Sequence, residues 1–180
     1  GVPPYTGIGN NTVSAGSYTY TVIDSANTSV TVSISIGEPT ALLVSSTSTN
    51  ITCNGSNNGT ASVTAAGGTI PYTYLWSNNA TSSSVSNLAP GTYSVVVTDA
   101  NGCTSTANVT ITEPNVLSAS ASVSAPILCN GGTATVAVSA IGGTAPYAGV
   151  GNFSVIAGTY SYTVTDANGC TASTSINVNE

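Results

Sequence analysis

The chain contains no lysine, arginine, histidine, methionine or glutamine. Its 180 residues carry six charged side chains, all Asp or Glu, where an average chain of this length carries roughly 45. Each absence excludes a chemistry. Without His or Lys there is no Ser-His-Asp relay, no Cys-His pair and no Schiff base. Without Lys or Arg nothing clamps a phosphate or neutralises a nucleic-acid backbone, and a Walker A loop cannot be built. No nucleic-acid partner is therefore expected. Missing Lys also forbids Lys–Asn isopeptide crosslinks, and missing Gln forbids Cys–Gln thioesters and Thr–Gln esters. No apolar run approaches the ~20 residues of a spanning helix, so no membrane insertion is expected of this segment. The opening Gly1-Val2-Pro3-Pro4-Tyr5 lacks a basic n-region and reads as the interior of a domain, not as a signal peptide. A protein of this composition is held by packing, hydrogen bonds and disulfides, and no enzyme is expected.

What is present is repetitive. Gly158-Thr159-Tyr160-Ser161-Tyr162-Thr163-Val164-Thr165-Asp166-Ala167-Asn168-Gly169-Cys170 echoes Gly91-Thr92-Tyr93-Ser94-Val95-Val96-Val97-Thr98-Asp99-Ala100-Asn101-Gly102-Cys103. Upstream, Cys129-Asn130-Gly131 echoes Cys53-Asn54-Gly55, and Gly142-Gly143-Thr144-Ala145-Pro146-Tyr147 echoes Gly67-Gly68-Thr69-Ile70-Pro71-Tyr72. A constant offset of 142 then aligns residues 1–38 with the end of the chain, Tyr5 on Tyr147, Asp24 on Asp166 and Glu38 on Glu180. The chain divides into the back half of a unit (1–38), a whole unit (39–113) and a second whole unit (114–180). The middle unit has eight extra residues between its Pro-Tyr and Gly-Thr-Tyr landmarks. A half unit cannot bury its own apolar face. It is expected either to belong to a longer array or to be completed by another chain.

The units read as strands. Val, Ile, Thr and Tyr abound, and apolar side chains alternate. Tyr93, Val95 and Val97 share a face, as do Ala107, Val109 and Ile111, Ala61, Val63 and Ala65, and Tyr72, Tyr74 and Trp76. The last unit repeats the scheme with Val136, Val138 and Ala140, with Tyr160, Tyr162 and Val164, and with Ile176 and Val178. Asn-Gly between alternating strands predicts a hairpin pairing 93–99 with 103–112, because such a turn needs positive φ. Six or seven short strands in ~70 residues predict an all-β chain of small immunoglobulin-like β-sandwiches. Glu-Pro marks the junctions between them, since Pro ends a ladder and stiffens a link.

Each whole unit holds two cysteines. Four cysteines allow three connectivities, and repeat symmetry favours pairs within units, Cys53–Cys103 and Cys129–Cys170. Loops of 50 and 41 residues would then stabilise each unit by roughly 4 kcal/mol. Thr28 stands where Cys170 stands in the last unit, which predicts that the front half of that first copy also lacks its cysteine. Free buried thiols are the alternative; zinc fits poorly, because two thiols with no His make a weak tetrahedral site. Disulfides imply an oxidising compartment, hence the cell surface or outside.

Taken in order, Cys-Asn-Gly, Gly-Gly-Thr-x-Pro-Tyr, Gly-Thr-Tyr-Ser, Val-Thr-Asp-Ala-Asn-Gly-Cys-Thr and Glu-Pro resemble the SprB repeat, found many times over in very large surface adhesins of gliding bacteria that use type IX secretion. The first copy departs from that pattern at Asn27-Thr28, and the last has a shortened middle and no Trp. The resemblance implies an extracellular filament on a bacterial cell surface, with these repeats as its mechanical stalk in adhesion and gliding. Its partners would be neighbouring repeats of the same chain, the motility machinery, and a substratum or polysaccharide. Two other readings stand beside it: a carbohydrate-binding module, and a small subunit that polymerises by strand complementation.

All six acids fall at two repeat positions, Asp24, Asp99 and Asp166 in the turns and Glu38, Glu113 and Glu180 at the unit ends. Turn chemistry explains the Asp set, because Asp accepts backbone N–H bonds within turns. The alternative is calcium at the unit junctions, held by an Asp with Asn101 or Asn168 and a neighbouring Glu; no other cofactor is expected. Tyr72, Tyr74 and Trp76 are candidates for a sugar-stacking platform, against a core Trp packed on the disulfide. Asp24-Ser25-Ala26 resembles an O-glycosylation motif, with Ser25 as the acceptor.

Overall fold

In the computed structural model, residues 1–180 form thirteen β-strands and no helix. Strands β1 (Gly16–Ile23) and β2 (Ser29–Ile36) make a hairpin sheet. Strands β3 (Leu43–Thr49), β4 (Gly59–Ala66) and β6 (Ser84–Leu88) make a second sheet in the order β3-β4-β6. Strands β5 (Thr73–Trp76), β7 (Gly91–Thr98) and β8 (Thr104–Ile111) make a third in the order β5-β7-β8. Strands β9 (Ser118–Ala125), β10 (Ala134–Ile141) and β11 (Gly151–Val155) are ordered β11-β10-β9, and β12 (Gly158–Thr165) pairs with β13 (Thr171–Val178). Every pairing is antiparallel and no sheet closes into a barrel.

The period-two faces become the cores. In the middle unit Ala61 and Val63 of β4, Leu88 of β6, Trp76 of β5, Val95 and Val97 of β7, and Val109 and Ile111 of β8 form one buried cluster with Ile51. Val95 and Val97 are fully buried because their neighbours Ser94, Val96 and Thr98 point the other way along the pleat. In the last unit Ala134, Val136 and Val138 of β10 pack against Val164 of β12 and Val178 of β13. The first copy is a hairpin with one added bridge, Thr6 to Ile23. None of its apolar side chains is buried, and Tyr20, Val22, Ile34 and Ile36 line an open groove of about 600 Å³. Their equivalents at an offset of 142, Tyr162, Val164, Ile176 and Val178, are covered by the β9–β10 layer in the last unit.

The eight extra residues of the middle unit are strand β5 and its turn. In the last unit the same position is reduced to a single bridge, Ala148 to Thr165. Trp76 on β5 is 1% exposed, and its indole N–H donates to Ser82 O at 2.8 Å. Without that ring the last unit fills its core with Phe153 against Tyr162, ring centroids 4.9 Å apart. Tyr162 Oη is buried there without a partner. Truncating Trp76 to Ala is expected to cost the middle unit about 3–5 kcal/mol. Tyr162→Phe, which removes an unpaired hydroxyl and little volume, is expected to leave the last unit equally stable or more stable by about 1 kcal/mol. Chemical denaturation of both variants beside the parent chain reads the two effects.

Candidate functional site

Each unit ends its last hairpin in the same tip. In the middle unit Asp99 N–H donates to Cys103 O at 2.9 Å and Gly102 N–H donates to Asp99 O at 3.0 Å. Gly102 takes φ +84° while Asn101 stays out of the left-handed region. The expected hairpin therefore forms, but through a three-residue loop with a left-handed bulge residue, not a two-residue Asn-Gly turn. In the first copy Asn27 replaces that glycine and takes φ +64°, which Asn tolerates better than most residues.

The tip is organised by its Asp. Asp99 Oδ1 accepts N–H bonds from Asn101 at 2.9 Å and Cys103 at 2.8 Å. Its Oδ2 accepts the N–H of Thr69 at 2.9 Å, tying the tip to the Gly-Gly-Thr loop thirty residues upstream. Asp166 repeats this with Asn168, Cys170 and Thr144, each at 2.9 Å. Asp24 repeats it with Ala26, Thr28 and Val2 at 2.9, 2.8 and 2.9 Å. The three are the buried polar residues of the chain. Gly68 must be glycine: it sits at φ +58°, and a Cβ there would lie 2.7 Å from Asp99 Oδ2.

The hydrogen bonds from Val2 and Thr28 hold the Asp24 carboxyl below its ordinary value of 3.8, and those from Thr69, Cys103 and Asn101 do the same for Asp99. At Asp166 burial is the largest single influence and raises the pKa, but the N–H groups of Thr144, Cys170, Asn168 and Gly169 together outweigh it. A carboxyl depressed on folding stabilises the fold in full above about pH 4, and that contribution is lost as pH falls through the folded-state pKa.

The cysteines do not pair as repeat symmetry suggested. Cys53 is bonded to Cys170 of the following unit, with Cα atoms 5.7 Å apart, and Cys103 and Cys129 are free and exposed. The reason is the length of β8. Cys53 lies beside the end of β8, where Ile51 N–H donates to Thr112 O at 2.9 Å, whereas Cys103 precedes its first residue. Eight residues of strand place them roughly 27 Å apart, far beyond the ~4.4–6.8 Å a disulfide spans. Cys129 and Cys170 are separated in the same way by β13. The expected stacking of Trp76 on a disulfide fails for the same reason, since the bond lies at the end of the sandwich and the ring at its centre.

The junction is thus a cysteine turn of one unit meeting the hairpin tip of the next. The turn is capped from its own unit: Gly55 N–H donates to Glu113 Oε2 at 2.7 Å, and Asn54 Nδ2 donates to Pro114 O at 3.0 Å. Gly131 N–H donates to Glu180 in the same way. From the far side Asn168 Nδ2 reaches Thr52 O at 2.9 Å while also holding Thr144 Oγ1 at 3.0 Å. Cys53, Pro114, Leu117, Gly169 and Cys170 line a cleft of about 360 Å³ between the units. Sequence reading missed the Glu cap and the Asn168 bridge; the recurrence of Glu ten residues after the hairpin-tip cysteine, Glu113 after Cys103 and Glu180 after Cys170, was the available signal.

The remaining candidates fall as follows. Five of the six carboxylates accept backbone N–H bonds, and nowhere do three or more His, Cys, Asp or Glu side chains gather as a metal-binding set. Asp99 lies just before β8 and Glu113 just beyond its end, so those two are a strand's length apart, whereas Asn168 and Glu113 hold the same cysteine turn from its two sides; Glu38 is exposed at the end of the first half unit. Trp76 is too deeply buried to offer a face to a sugar, and Tyr72 Oη is engaged with Gly67 O. Ser25 is exposed at the first tip, its hydroxyl donating to Val2 O and Pro3 O.

Residues 45–81, most of the front half of the middle unit, match the family model of the SprB repeat. No curated protein matches the chain. Asp99→Asn is expected to lower the melting temperature at pH 7, because one amide oxygen cannot accept three N–H bonds. It is also expected to shrink the fall in melting temperature between pH 7 and pH 2.5. Calorimetry of parent and variant at both pH values measures both effects, and an unchanged pH dependence would contradict the role given to this carboxylate.

Proposed function

We propose that this chain, which carries a SprB repeat, is a section of an extracellular tandem-repeat adhesin on a bacterial cell surface, and that its sandwiches form a mechanical stalk serving adhesion and gliding. One observation carries the reading: the disulfide joins one unit to the next. Tension along the chain enters at Cys53 and leaves at Cys170, so the 116 residues between them (54–169) lie off the covalent load path. A bond that closed a single sandwich would protect that sandwich only. Closing a loop with a sequence separation of 117 also stabilises the folded pair by roughly 5 kcal/mol by chain entropy. The role proposed is structural, in keeping with the SprB repeat the chain carries.

The chemistry of the surface suits that setting. A chain without Lys or Arg offers no site to trypsin-like proteases, and a disulfide persists in an oxidising exterior. Secretion by the type IX route and coupling to a gliding motor rest on the resemblance to the repeat family. A carbohydrate-binding role finds little support, because Trp76 is enclosed. A subunit completed by strand exchange remains the second reading, and the open groove of the first half unit favours it.

Pulling single molecules from both ends through peptide tags tests the stalk. With the disulfide intact, residues 54–169 are expected to contribute no extension. Reduction should release roughly 400 Å of chain, a separation of 117 residues at ~3.5 Å each. Stepwise extension of every sandwich in the oxidised chain, unchanged by reductant, would contradict it.

A further inference from the structure

We infer that Cys103 and Cys129 are the two halves of further junctions, each made to bond a neighbouring copy of this repeat, so that consecutive units are joined by a ladder of disulfides running from the cysteine turn of one to the hairpin tip of the next. The inference rests on the stalk reading and names the partner that the stalk's ends engage. Cys103 is the repeat equivalent of the bonded Cys170, and Cys129 is the equivalent of the bonded Cys53. The bonded pair is half-buried and the unbonded pair exposed, as expected of the same surface with and without its partner.

Both half-junctions are already shaped. At the Cys103 tip Asp99 holds Cys103 N–H and Asn101 Nδ2 holds Thr69 Oγ1 at 2.9 Å, as Asp166 and Asn168 do at the bonded tip. Asn101 Nδ2 is therefore placed to reach the carbonyl before a partner's cysteine, as Asn168 reaches Thr52 O. At the Cys129 turn Glu180 caps Gly131 as Glu113 caps Gly55. The occupant of both faces is fixed by continuity with the junction this chain already contains: a unit with a free cysteine turn for Cys103, and a unit with a free cysteine tip for Cys129.

Each bond forms when two thiols lose two protons and two electrons to a protein disulfide oxidant of the thiol–disulfide oxidoreductase class, whose own S–S bond is reduced to two thiols. Successive loops then overlap. Of every two units, only the 26-residue step from Cys103 to Cys129 lies on the shortest covalent path. The pairing also reassigns the consequence of Thr28. The unit that ends at Glu38 needs a front cysteine to serve Cys103, and the front cysteine that Thr28 leaves without a partner belongs one unit earlier.

The test is a disulfide map of the native polypeptide. Free thiols are alkylated, the protein is denatured without reduction, and it is cleaved before aspartate. Residues 24–98 then carry Cys53, residues 99–165 carry Cys103 and Cys129, and Cys170 lies beyond residue 166. The ladder predicts that 24–98 is linked directly to the Cys170 peptide, and that 99–165 is unalkylated and linked through both its cysteines to peptides of other repeat units. Alkylated Cys103 or Cys129, a bond between those two, or a Cys53–Cys103 link would overturn it. The mass after reduction separates the two claims. Links within one very long chain support both, whereas links between separate short chains support the ladder and overturn the single-chain stalk.

Discussion

One carboxylate organises each unit. Asp24, Asp99 and Asp166 each gather three backbone N–H groups, two from the hairpin tip and one from the residue after the paired-glycine loop, or from Val2 in the first copy. In a chain with no cations this is the strongest polar interaction available, because a charged acceptor makes shorter and stronger hydrogen bonds than a neutral one. It fixes the loop between the strands and the direction in which the tip leaves the sandwich. Everything at the junction depends on that direction.

The tip of one unit meets the cysteine turn of the unit before it. Asp166 orients Asn168 and Cys170; Asn168 bonds back to Thr52, and Cys170 closes on Cys53. On the other side Glu113 holds the turn that carries Cys53. The two acidic positions of the repeat therefore prepare the two faces of one joint. Two units joined this way resist separation through a covalent bond between them and need little from each core. That suits the last unit, whose buried cluster is five residues against nine in the middle unit.

Much of this was legible in the sequence. Alternation gave the buried faces of β4, β7, β8, β10, β12 and β13, because one core-facing side chain in two is a local property that tertiary context does not alter. The hairpin and the role of its Asp were legible too, although the turn takes its positive φ only at Gly102. The cysteine pairing was not. Repeat symmetry is a translation, and joining a front cysteine to the back cysteine of its own unit is as periodic as joining it to that of the next. Only strand length decides, by placing Cys53 and Cys103 at opposite ends of β8. Trp76 was legible as a core residue by its alternation with Tyr74, but its supposed disulfide neighbour was an error inherited from that pairing.

The central claim is that the cross-unit disulfide and the Asn168 bridge fix residues 39–113 and 114–180 as one body. Residual dipolar couplings from the whole chain in a weakly aligning medium test it most directly. With the Cys53–Cys170 bond intact, the backbone couplings of both units are predicted to fit a single alignment tensor, and after reduction to require two. Two independent tensors in the oxidised protein would contradict the account, since the joint would then be a tether between freely turning sandwiches.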